Sequence, residues 1–126
     1  MNFLEVFRDW KGVEEHRAKT VIFSEGDPAE VIYVILSGRI VLTLHGESLG
    51  SEEAGGIIGE MAMIDAGTNS ATATALTSVK LARLDRDQFR ELIGKNAEFS
   101  LHAMAVLANR LRAIDKYISR QFELSN

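Results

Sequence analysis

The spacing of apolar side chains changes once along this chain, at about residue 85, and the change divides it into two kinds of structure. Upstream the pattern is that of strands. Ala18–Phe23 is rich in β-branched and aromatic residues, Val31–Leu36 is almost continuously apolar, and Arg39–Leu44 returns after Ser37-Gly38. Two such runs with Ser-Gly between them predict a β-hairpin. His45-Gly-Glu-Ser48 reads as a further turn, and Leu49 opens a weak strand or loop into the acidic Ser51–Ala54. Ala71–Leu76 and Val79–Leu84 alternate as strands do, joined at Thr77-Ser78. Short strands with turns about every 8–12 residues predict a closed or double-sheet antiparallel architecture.

From Asp85 the period becomes helical. Asp85 with Gln88 three residues on has capping-box spacing, Phe89, Leu92 and Ile93 supply an apolar face, and Gly94 marks the expected end. Asn96 is placed to cap a second helix. Along it Met104, Leu107, Leu111, Ile114 and Ile118 recur at alternating steps of three and four, a heptad-like seam. Beside the seam runs a second stripe, Phe99, Ala103, Val106, Ala113 and Tyr117. Two stripes on one helix exceed what a small domain covers, so one is expected on the β-domain and the other on a partner helix in a homodimer. Before the strands, Phe3–Trp10 has the spacing of a short amphipathic helix. The expected organisation is one domain over 1–126: an N-terminal helical segment (1–17), a β-domain (18–84) and C-terminal helices (85–126).

Composition narrows the function classes. With 126 residues and no cysteine the chain has one core, no disulfide framework and no thiolate chemistry, which fits a reducing cytoplasm. No apolar run is long enough to cross a membrane, and Met1–Glu5 lacks the segments of a signal peptide. Net charge is −4, which argues against direct nucleic-acid binding. Residues 1–79 carry 5 basic and 12 acidic side chains, and residues 80–126 carry 9 and 6. No lysine or arginine lies between Arg39 and Lys80. His16, His45 and His102 fall on unrelated elements without metal-ligand or triad spacing, so enzymatic activity is the weakest reading.

The candidate chemistry lies in that gap, at Gly55–Thr72. Glycines at 55, 56 and 59 precede the short apolar run Met61–Ile64, a turn at Asp65–Asn69 and the hydroxyl-rich Ser70-Ala-Thr72. Glycines before a helical turn leave free N–H groups that suit a phosphate. The same glycines equally serve as a tight corner between strands, and Glu60 would repel an anion unless another donor, such as a sugar hydroxyl, holds it.

Gly59-Glu-Met-Ala-Met-Ile64 followed by Ser70-Ala-Thr72 resembles the phosphate-binding cassette of cyclic nucleotide-binding domains. That family includes catabolite activator proteins, kinase regulatory subunits and nucleotide-gated channels. Phe23–Glu30, Ile32–Gly38 and Leu81–Phe89 carry the resemblance in the same order, so it spans nearly the whole chain. It implies a mainly β fold, an antiparallel double-stranded β-helix (jelly roll) with a short N-terminal helix and two C-terminal helices, the second of them dimerising. It also implies a ligand, cyclic AMP or cyclic GMP, held by Gly59, Glu60, Met61, Ala62, Asn69, Ser70 and Ala71, with Glu60 on the ribose hydroxyl. Thr72 offers the hydroxyl that favours guanine in some members. Matching Asn109–Asp115 to the family's terminal helix puts Ile114-Asp115 where a hydroxyl pair meets adenine, and Asp115 alone can accept a hydrogen bond there.

One departure matters most. The family's cassette arginine falls on Asn69 or, with a one-residue gap, on Ser70. A charge-assisted hydrogen bond contributes about 1.5–3 kcal/mol, so its loss lowers phosphate affinity by roughly one to two orders of magnitude. The expectation is a regulatory module that binds cyclic AMP weakly or binds an altered ligand. The alternative is a dimerisation or protein-interaction module that has lost its ligand. Family regulators that bind DNA carry a helix-turn-helix after this helix, whereas this sequence stops at Asn126, so the expected effector is another polypeptide. Whether Arg39 or a basic side chain from elsewhere reaches Gly59 decides between weak and tight binding.

Overall fold

Alternating runs become strands, and the helical period begins where the sequence places it. The computed structural model describes residues 3–60 and 67–125. Within them lie two four-stranded antiparallel sheets. One orders β1 (Val13–His16), β8 (Val79–Leu84), β3 (Ile32–Ser37) and β6 (Ile57–Ile58). The other orders β2 (Val21–Phe23), β7 (Thr72–Ala75), β4 (Ile40–Leu44) and β5 (Glu47–Glu52). Together they form the jelly roll. A 3-10 helix at Phe3–Phe7 precedes them, and α1 (Arg86–Lys95) and α2 (Ala97–Ser125) follow.

Two apolar layers hold these elements. Between the sheets pack Ile35, Ile40, Leu42, Ile58, Ala71, Ala73 and Leu81. On the outer face of the first sheet, Ile32, Val34, Ala82 and Leu84 meet the helices through Phe7, Phe89, Phe99, Ala103 and Val106. β3 is apolar almost throughout because it contributes to both layers. Phe99 sits edge-on to Phe89 and Phe7, with ring centroids 5.6 and 6.3 Å away, and so joins both helices and the N-terminal turn in one cluster.

The structure corrects three local expectations. The Ser37-Gly38 turn makes no hairpin, because β3 and β4 lie in different sheets. Gly38 has φ +90°, and a Cβ there would stand 2.3 Å from the Ser78 carbonyl, so the turn is a crowded corner that passes the chain between sheets. The hairpin is instead β4–β5, closed by His45-Gly46 with φ of 50° and 82°. The N-terminal segment is less helical than its spacing suggests: the 3-10 helix ends at Phe7, and Val13–His16 is an edge strand against β8. With one apolar residue in four, that strand carries no periodic signal. Gly94 lies inside α1 rather than at its end, and Asn96 caps both ends of the junction. The capping box at Asp85 and Gln88 forms as its spacing predicts.

Candidate ligand-binding site

α2 lies across the roll with its second stripe inward. Phe99, Ala103, Val106 and Tyr117 are buried, while Leu101, Met104, Leu111, Ile118 and Phe122 face outward. Of the predicted seam, Leu107 and Ile114 are half-buried. Polar contacts fix the helix along its length. The His102 ring bonds the Gly55 carbonyl, Tyr117 Oη meets His45 Nδ1 at 3.2 Å, and Gln121 donates to Glu47 at 3.0 Å. α2 thereby closes over the glycine-rich stretch.

Beneath it is a small cavity lined by Gly59, Glu60, Asn69, Ser70, Ala71 and Arg110, with Phe23 and Leu42 at its apolar side. The structure thus brings five of the predicted cassette residues to one place. Gly59 has φ +78°, and a Cβ would come within 2.5 Å of the Val31 carbonyl, so close approach to the neighbouring backbone requires glycine there. Asn69 is a structural latch: its N–H donates to the Asp27 carbonyl at 2.8 Å, its carbonyl accepts from Gly26, and its side chain donates to the Ser24 carbonyl at 3.4 Å. Met61 and Ala62, with the short run Met61–Ile64, lie outside the described residues.

Two other predicted residues do not line the cavity. Thr72 Oγ1 accepts from the Glu25 N–H at 3.0 Å and donates to the Glu25 carboxylate at 3.4 Å. Asp115 is exposed and lines a groove of about 630 Å³ beside Ser48 and Leu49 of β5. Arg39 is also elsewhere, with its guanidinium on Ser51 Oγ.

The cation beside Glu60 comes from α2. Arg110 Nη1 donates to Glu60 Oε1 at 2.7 Å, and Nη2 donates to the Ile57 carbonyl at 3.1 Å and to Glu52 Oε1 at 3.3 Å. The two side chains of the central pair are 8% and 7% exposed, Arg110 and Glu60 respectively. Glu60 is therefore not unopposed, which corrects the expectation from the cassette alone. A signal for Arg110 was present in the sequence. The inward stripe steps 99, 103, 106, 113, 117, and the position missing from its rhythm is 110. A charged residue on a buried stripe needs a buried partner, and the carboxylate in the glycine-rich turn is that partner.

As it stands the cavity measures only about 10 Å³, room for roughly one water. A nucleotide-sized ligand needs hundreds of Å³, so the structure shows a closed site. Among the described residues no three His, Asp or Glu side chains converge as metal ligands, and no helix is long and apolar enough to cross a membrane. The three histidines are dispersed: His16 pairs with Glu14, His45 with Glu25 and Tyr117, and His102 with the Gly55 carbonyl.

A family model described as the cyclic nucleotide-binding domain matches residues 13–96. A CRP-like cAMP-activated global transcriptional regulator from Mycobacterium tuberculosis is 32% identical over 103 residues, covering 72% of this chain and 43% of the relative. Among solved structures, the c-di-GMP-responsive global regulator CLP of Xanthomonas campestris superposes with a TM-score of 0.75 at 25% identity, over 93% of this chain and 62% of that one. The Thermus thermophilus catabolite activator protein gives 0.68 at 29% identity, over 86% and 54%. The chain spans less than half the length of the Mycobacterium tuberculosis relative.

Proposed function

Because the chain belongs to the cyclic nucleotide-binding domain family, we propose that it is a ligand-sensing regulatory module whose pocket is the 55–72 cassette completed by Arg110 of α2. The observation that carries this reading is the buried guanidinium lining the same cavity as Gly59, Ser70 and Ala71. It supplies positive charge where Asn69 and Ser70 supply none. The ligand is a cyclic nucleotide, cyclic AMP or cyclic GMP, with the phosphodiester near Arg110 and a sugar hydroxyl on Glu60. One relative is named as cAMP-activated and one solved structure as c-di-GMP-responsive, a mononucleotide and a dinucleotide that share a cyclic phosphodiester.

Affinity is weak for a physical reason. Binding must compete with the carboxylates that already hold Arg110 and open a closed cavity, and the apparent affinity falls with the fraction of molecules already open. The seam Met104, Leu107, Leu111, Ile114 and Ile118 pairs with its copy in a homodimer, because its exposed members Met104, Leu111 and Ile118 are large apolar side chains that a second helix covers. Neither catalysis nor nucleic-acid binding is part of this reading. The chain's net charge of −4 disfavours a polyanion.

The small cavity favours a second reading, a dimerisation or protein-interaction module in which Arg110 and Glu60 permanently fill the old ligand space. Calorimetric titration separates the two. Heat at micromolar to sub-millimolar cyclic AMP or cyclic GMP supports ligand sensing, and silence to several millimolar of both supports the second reading.

A further inference from the structure

Two carboxylates bear on one guanidinium, and they are not equivalent. Glu60 takes Arg110 Nη1 at 2.7 Å in a buried contact. Glu52 takes Nη2 at 3.3 Å, and its side chain is 26% exposed. Glu52 ends β5, opposite Ile40 of β4. Its side chain folds back over the glycine turn: a Cβ on Gly56 would stand 2.9 Å from both Glu52 Cβ and Oε2. A glycine at 56 is what lets this carboxylate reach Arg110.

From this arrangement, and resting on the pocket reading above, we propose that Glu52 is the affinity-setting residue of the site, an internal anion holding the Arg110 nitrogen that an incoming phosphodiester oxygen would take. A phosphodiester in the cavity makes three anions around one cation. The anion released is the one held at the longest distance with the best access to water, and that is Glu52. Glu60 stays, because its short buried contact is costly to break. The device discriminates by charge: an anionic ligand must displace Glu52, while a neutral nucleoside has no anionic oxygen to compete for that nitrogen.

The test compares wild type with Glu52→Gln and Glu53→Gln, titrated with cyclic AMP, cyclic GMP and adenosine by calorimetry or NMR. Glu53 is an exposed neighbour, so its variant changes net charge equally without touching Arg110. The expected result is about tenfold tighter cyclic nucleotide binding in Glu52→Gln, less than about twofold change in Glu53→Gln, and no gain for adenosine. Cyclic nucleotide binding by wild type that Glu52→Gln leaves unchanged or weakens overturns the inference alone. So does an equal gain in Glu53→Gln, which would mark a general charge effect. No binding to several millimolar by either wild type or Glu52→Gln, both folded by circular dichroism, overturns the pocket reading and the inference with it.

Discussion

Replacing Arg110 by Met removes the guanidinium and keeps much of the side chain's apolar volume. What remains is a Glu60 carboxylate in a cavity of about 10 Å³ and an Ile57 carbonyl without its Arg110 donor. Removing one member of a buried ion pair costs about 3–5 kcal/mol, because the other charge is left in a poor solvent. The orphaned carbonyl belongs to the same loss. Against a domain stability of roughly 5–15 kcal/mol, that is a large fraction. With a urea m-value of about 1.5 kcal/mol/M, the unfolding midpoint should fall by roughly 2–3 M. The measurement is urea denaturation followed by circular dichroism, at one fixed protein concentration because a dimer's stability depends on it. Glu60→Gln and the double variant complete a cycle. Once Arg110 is gone, neutralising Glu60 should recover stability, giving a coupling energy of about 2–3 kcal/mol. An Arg110→Met cost below about 1 kcal/mol, or additivity within about 0.5 kcal/mol, would refute the claim that this pair anchors α2 over the cassette.

Three further outcomes are expected. Leu111→Lys, at a position 69% exposed on the outward seam, should convert a dimer to the 13.9 kDa monomer in light scattering while leaving the circular dichroism spectrum intact; a monomeric wild type would contradict the dimer. Gly59→Ala should lower stability by at least about 2 kcal/mol, seen as a melting temperature roughly 6–12 °C lower, because it adds left-handed strain to a backbone clash. The Tyr33 hydroxyl is held above its ordinary value of 10, first by burial and then by the Glu14 carboxylate, with Arg83 opposing. A raised folded value means that this contribution is whole below pH 10 and is lost as pH rises beyond it. Tyr33→Phe should therefore flatten the alkaline fall in stability measured between pH 9 and 11, and an equally steep fall in the variant would contradict the assignment.

Local signals in the sequence were reliable where the physics is local. The capping box at Asp85 depends on side chains three residues apart, and it forms. The turn at Ser37-Gly38 misled because a short apolar–turn–apolar pattern is shared by a hairpin and by a corner between sheets. Only the contact with Ser78, forty residues on, decides which forms. The glycines, Glu60 and Ser70-Ala71 were legible as a cassette because the resemblance fixes their order. Arg110 was not, since its role depends on how α2 lies across the roll and fifty residues separate it from Glu60. Its only local mark was a charge interrupting an apolar stripe. Glu52 had none, because an acidic residue in Ser51–Ala54 looks like ordinary solvated surface until the fold brings it to the guanidinium.

The central claim is that Arg110 completes a working ligand pocket, and its own side-chain resonance tests this most directly. In ¹⁵N-labelled protein the Arg110 Nε–H signal, assigned by its absence from Arg110→Lys, should be resolved and protected as befits a buried ion pair. On titration with cyclic AMP or cyclic GMP it should shift together with the backbone amides of Gly59, Ser70 and Ala71. An Arg110 signal that stays in place to several millimolar of both ligands, or amide shifts confined to residues away from 59–71, would contradict the account.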